Sequence, residues 1–103
     1  MKTGFDYDIP KKIDDEIKSI GRDMSIPQII AFGSRVKGNS TERSDIDLAI
    51  SARNAREYFE IKDALERIDT LISFDLVDLN SDCISRDLLE EIERDGVVIY
   101  EEI

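Results

Sequence analysis

The chain has no histidine, a single cysteine (Cys83), only two prolines, and no apolar run approaching the length of a membrane span. Each shortage removes a class of chemistry. Without histidine there is no Ser-His-Asp triad, no imidazole general base and no His-ligated zinc. A lone cysteine cannot build an internal disulfide framework, and as a nucleophile it would lack an imidazole partner. The start, MKTGFDYDIPKK, is polar and holds no apolar run. With neither a signal peptide nor a spanning segment, no membrane role is expected and the cytoplasm is the expected compartment. Any metal must be held by oxygen, which points to Mg, Mn or Ca. Positive charge is scarce too: 14 Lys and Arg face 24 Asp and Glu, for a net charge of −10 at pH 7. Such a field repels a long nucleic acid.

What is present is globular. The hydrophobic fraction is 41 % and the charged fraction 37 %, over 103 residues without repeat, linker or low-complexity segment. That composition fits one domain, 1–103, with one modest core and little surface for an elaborate two-substrate cleft. In PKKIDDEIKSIG, residues 10–21, Ile13, Ile17 and Ile20 line one helical face, with Pro10 in the first turn and Gly21 as a C-terminal cap. IPQIIAFG, 26–33, reads as a buried strand, 34–44 as a turn or short helix, and DIDLAIS, 45–51, as a second strand. Residues 54–69 form a helix capped by Asn54, with Ala55, Tyr58, Phe59, Leu65 and Ile68 on its apolar face. ISFDLVDL (72–79), SDCISRDLLEEIERDG (81–96) and VVIY (97–100) read as strand, helix and strand. The order predicts a mixed α/β (α+β) domain, a β-sheet flanked by helices.

The chemistry concentrates in GSRVKGNSTERSDIDLAI, residues 33–50. Alternation along a strand puts Asp45, Asp47 and Ala49 on one face and Ile46, Leu48 and Ile50 on the core face. Two carboxylates whose Cα atoms are about 6.5–7 Å apart repel each other, and a hard divalent cation relieves both the repulsion and the lost hydration. In the later strand, Phe74 and Leu76 share the apolar face, so Asp75 joins Asp45 and Asp47 if the strands are neighbours. Asp78 has the opposite parity and reads as a turn or surface residue. Three carboxylates on rigid strands form a site for one or two Mg ions. Gly33 allows close backbone approach, and Ser34 offers a hydroxyl and an N–H suited to phosphate oxygens. Arg35, Lys37 and Arg43 cluster around this loop. Arg35 and Lys37 are candidates for phosphate contact, Arg43 for balancing the carboxylates, against the alternative of solvated loop charges. Metal, phosphate cradle and nearby cations are the equipment of phosphoryl chemistry.

Two other motifs fit poorly. GSRVKGNS matches G-x-x-x-x-G-K-S except that Asn39 replaces the lysine that reaches the β- and γ-phosphates, and a strand, not a long helix, follows. An EF-hand loop needs an oxygen ligand, a Gly and a Glu where the chain has Ala49, Ile50 and Arg56. An N-cap or an acidic edge strand is the bland reading of Asp45 and Asp47; the spacing to Gly33-Ser34 and the phase of Asp75 weigh against it. Tyr58, Phe59 and Tyr100 read as core residues, since burial explains their spacing.

Gly33-Ser34, ten residues, then Asp45-Ile46-Asp47 resembles the G-S-x10-D-x-D signature of the DNA polymerase β-like nucleotidyltransferases. The wider string, followed by FDLVDL, is similar to the minimal nucleotidyltransferase (MNT) proteins, partners of HEPN toxins. The resemblance implies a polymerase β-like fold, with Asp45 and Asp47 binding Mg that holds ATP, and Asp75 completing the site and helping to deprotonate the acceptor. It further implies Gly33 and Ser34 on the triphosphate, and a hetero-oligomer with a HEPN protein. The implied reaction is transfer of AMP to a tyrosine hydroxyl of that toxin, with the chain as antitoxin. The alternatives are a non-catalytic toxin-binding module and transfer to a small molecule.

Overall fold

Ile13 and Ile17, four residues apart, are buried on one face of α1 (Lys11–Asp23), and Pro10 stands at its N-cap. The computed structural model describes residues 2–3 and 7–102. Helix α1 runs two residues past Gly21 and is capped at Met24, so Gly21 is not the terminator that the sequence suggested. Its reason is packing. A Cβ there would lie 3.0 Å from the Tyr100 ring and 3.1 Å from Ile29. Buried Asp14 on this helix is fully engaged: the Tyr7 hydroxyl donates to it at 2.8 Å and Lys18 Nζ lies at 2.7 Å.

The remaining elements follow the expected order: β2 (Gln28–Phe32), α2 (Ser34–Lys37), β3 (Ile46–Ser51), α3 (Ala55–Glu66), β4 (Phe74–Asp78), α4 (Arg86–Asp95) and β5 (Val97–Glu101). A two-residue strand, β1 (Lys2–Thr3), pairs in parallel with β5. It is too short to carry a hydrophobic period. The sheet order is β1-β5-β2-β3-β4. β2 is antiparallel to both β3 and β5, while β3 and β4 are parallel, joined by the crossover through α3. Asn54 Oδ1 accepts from Glu57 N at 2.8 Å, the cap expected of it. The last helix starts later than the expected 81: residues 81–85 are not helical, and Ser85 Oγ caps α4 by accepting from Leu88 N at 3.1 Å.

The period of two along the central strands sorts their side chains onto two faces. Ile29, Ala31, Ile46, Leu48 and Ile50 pack with Ile13 and Ile17 of α1 and Tyr58, Ile61 and Leu65 of α3. Ile30, Phe32 and Ala49 pack with Leu88 and Ile92 of α4. The molecule is therefore layered, two helices on one face and α4 on the other. Two helix-face expectations are corrected: Ala55 is exposed and Phe59 is 63 % exposed, while Ile61 fills the core position between Tyr58 and Leu65. Tyr58 and Leu65 are seven apart, so the central line of that face passes through 61 rather than 59.

Candidate active site

Asp47 of β3 stands directly opposite Asp75 of β4 in the parallel register. Adjacent strands lie about 4.8 Å apart, so the two carboxyls rise side by side from one face. It is the α4 face, because Ala49 and Val77, two residues further along each strand, pack beneath that helix. Leu88 and Ile92 seal the continuation of this face and leave its Asp47–Asp75 end to polar groups. Asp45 sits just before β3 and is exposed; Asp47 is partly buried. Asp78 takes the turn role expected of it, its carboxylate accepting from Asn80 N at 2.9 Å.

Gly33 closes over the pair. It follows Phe32, which is the β2 partner of Asp47, and has φ +78°. A Cβ built there would lie 2.1 Å from Asp47 Oδ2. Only glycine combines that backbone conformation with that approach. Ser34 then opens α2, where the first N–H groups of a helical turn have no acceptor within the helix.

The electrostatics are those of crowded acids. The Asp47 carboxyl is pushed up from the usual 3.8 to about 6, first by burial, then by the charge of Asp75 and a hydrogen bond to it, then by Asp45 and Glu91. Glu91, on α4, was not anticipated as a site residue. Its signal lies in the helix face: it precedes buried Ile92 and follows Leu88 by three, which places it at the rim of the packed stripe.

The loop cations divide. Lys37 Nζ pairs with Glu91 Oε2 at 3.1 Å, which puts it beside the acids. Arg43 is exposed. Arg35 is 3 % exposed and spends its guanidinium on main-chain oxygens of residues 8, 41, 42 and 44. The expected contact of Arg35 with phosphate is therefore replaced by an internal role, because its donors are already committed.

Among the described residues, no three His, Cys, Asp or Glu side chains converge as a ready-made metal cage. The expected convergence of three carboxylates is therefore not seen: Asp47 and Asp75 are paired, and Asp45 acts on Asp47 only through its charge, since like charges without a cation between them repel. The donor set nonetheless fits a hard cation. It is all carboxylate oxygen, the central acid is driven towards its protonated form by its neighbours, and Gly33 leaves the cradle free of a side chain. A separate cleft is lined by Glu66, Leu71, Ile72 and Phe74. Asp45 and Asp75 are exposed and Asp47 is partly buried, so the acids form a shelf open to solvent. No helix is long and apolar enough to cross a membrane among the described residues.

Comparison with known proteins agrees with this geometry. No curated protein matches the chain. Among solved structures, a toxin–antitoxin with AMP-PNP is similar at 28 % identity and TM-score 0.66, over 85 % of this chain and 73 % of that one. A MntA–HpeT toxin–antitoxin mutant aligns at 26 % identity and TM-score 0.65, over 85 % and 73 %. A tri-AMPylated Shewanella oneidensis HEPN toxin in complex with MNT antitoxin aligns at 25 % identity and TM-score 0.61, over 88 % and 71 %. The family model described as "Polymerase beta, Nucleotidyltransferase" matches residues 15–102, and with the Gly33-Ser34 turn closing over acids on two neighbouring strands, the chain belongs to the polymerase β-type nucleotidyltransferases.

Proposed function

We propose that the protein transfers AMP from ATP to a hydroxyl, most simply a tyrosine, of a HEPN-type toxin and so acts as its antitoxin. The observation that carries the reading is the in-register pair Asp47–Asp75 beneath the side-chain-free Gly33. The similar structures support the choice of substrates, since one holds AMP-PNP and another an AMPylated HEPN toxin.

Asp45, Asp47 and Asp75 would hold one or two magnesium ions, which supply charge neutralisation at the triphosphate and Lewis acidity at the α-phosphorus. The chain's residues do the rest. Gly33 brings backbone close to the phosphates, and Ser34 orients them through its hydroxyl and N–H. Lys37, released from Glu91, can neutralise a phosphate oxygen. Asp75, exposed on β4, receives the proton of the acceptor hydroxyl. The hydroxyl oxygen bonds to the α-phosphorus in line, the bond to the β-phosphate oxygen breaks, and pyrophosphate leaves. An open shelf suits an acceptor brought by another protein, and the net charge of −10 steers a basic one towards it.

The test is incubation with labelled ATP, magnesium and the neighbouring gene's HEPN product. Label on the partner is the expected result, lost when both Asp45 and Asp47 are changed to Asn. A tight complex that never takes label would instead identify a pure binding module; label on a small molecule alone would reassign the acceptor.

A further inference from the structure

Between the phosphate turn and the acid pair lie ten residues, 35–44, and one buried side chain spans them. Arg35 Nε and Nη2 donate to the Ser44 carbonyl at 3.1 and 2.9 Å, and Nη2 also reaches the carbonyls of Thr41 and Glu42 at 3.4 Å each. On its other side Nη1 donates to the Asp8 carbonyl at 2.7 Å, and the Asp8 carboxylate stands 3.9 Å away. The main chain answers in kind, with Asp8 N donating to the Arg35 carbonyl at 2.7 Å. Ser40 Oγ donates to Asp8 Oδ2 at 2.6 Å. Within the loop itself the bonds are short-range: Thr41 N to Ser44 Oγ at 2.9 Å, Ser44 N to the Thr41 carbonyl at 3.1 Å and Arg43 N to Thr41 Oγ1 at 3.2 Å. They shape the turn but do not tie it to α2.

We infer that Arg35 is a positioning residue that braces the Gly33-Ser34 turn against the loop ending at Asp45, and so sets the distance between the phosphate cradle and the carboxylates. The chemistry fits the task. A guanidinium presents five N–H donors in one plane and can gather several carbonyls; an ammonium has three donors around a point and cannot hold the same set. Arg35 lies on α2 one residue past Ser34, and the carbonyl that takes two of its bonds belongs to the residue before Asp45. Any shift of that carbonyl is passed to Asp45 by one peptide unit and to Asp47 by three. The brace also recruits residue 8, so the segment before α1 becomes part of the site's frame although it contributes nothing to the shelf of acids.

The assignment rests on the transfer reading only for what the brace serves; its existence is tested separately. In the unaltered protein, hydrogen exchange should show the Asp8 amide, which donates to the Arg35 carbonyl, strongly protected. An Asp8 amide exchanging at the rate of an unstructured chain would overturn the brace. In Arg35→Lys, exchange across 40–46 should accelerate at least tenfold while α1 and α3 keep their protection. Its affinity for ATP with magnesium, measured by titration well below the melting temperature, should fall at least tenfold, and Arg35→Gln should bind more weakly still. Loosened exchange with unchanged nucleotide affinity would reduce Arg35 to a purely structural residue and overturn the proposal. Should the unaltered protein bind no ATP, the transfer reading falls, and the exchange data alone decide the brace.

Discussion

At the scale of single residues, Asp47 is where folding and function oppose each other. Its carboxyl holds a proton more tightly in the folded state, about 6 against 3.8, so the folded form binds more protons between those values. Stability should therefore fall as pH rises through about 4 to 6 and stay lowered at pH 7. The shift corresponds to at most about 3 kcal/mol, and solvent screening of this half-exposed group reduces it to roughly 1–2 kcal/mol. Asp47→Asn removes the ionisation. Without divalent cations at pH 7 it should raise the melting temperature by about 5 °C for a domain of this size while abolishing transfer. Melting curves at pH 4.5 and 7 test the sign: the gain should shrink at the lower pH, and a gain equal at both would contradict it. Gly33→Ala should do the reverse of a stabilising change. The added Cβ meets Asp47 Oδ2 at 2.1 Å from a backbone with φ +78°, so a loss of about 2–4 kcal/mol is expected together with loss of nucleotide binding.

At the scale of elements, helices and strands obey rules that the sequence displays and close packing that it does not. The cap at Asn54 and the alternation in DIDLAIS were legible because each is a local pattern. Gly21 was misread as a terminator because its contact with Tyr100 joins distant parts of the chain. Phe59 was misread as core because hydrophobicity alone does not say which side of a helix wins; Ile61 is better centred. In the candidate site, the phase of Asp75 was readable from FDLVDL, but its exact register with Asp47 needed the order of strands. Arg35 looked like a phosphate ligand because a sequence shows a charge without its burial. Element-level energetics can be checked at α4, which holds its face of the sheet through few large side chains. Ile92 is 2 % exposed, so Ile92→Ala should cost about 2–5 kcal/mol in urea unfolding. Asn54→Ala, a lost cap at the exposed start of α3, should cost about 1 kcal/mol.

Across the whole molecule, the surplus of acids makes cation binding and folding one equilibrium. The net charge is −10, and part of it is concentrated where Asp45, Asp47, Asp75 and Glu91 share a shelf. A divalent cation that binds this shelf in the folded state and not the dispersed acids of the unfolded chain stabilises the fold by mass action, about 2.7 kcal/mol at a hundredfold excess over its dissociation constant. Sodium chloride at matched ionic strength screens the general repulsion but cannot bridge two carboxylates. Magnesium should therefore raise the melting temperature beyond the sodium control, and the difference should vanish in the variant with both Asp45 and Asp47 changed to Asn. The same experiment separates local from global charge. If the variant keeps the full magnesium response, the cation is acting on the diffuse acidic surface, and the shelf has no special affinity for it.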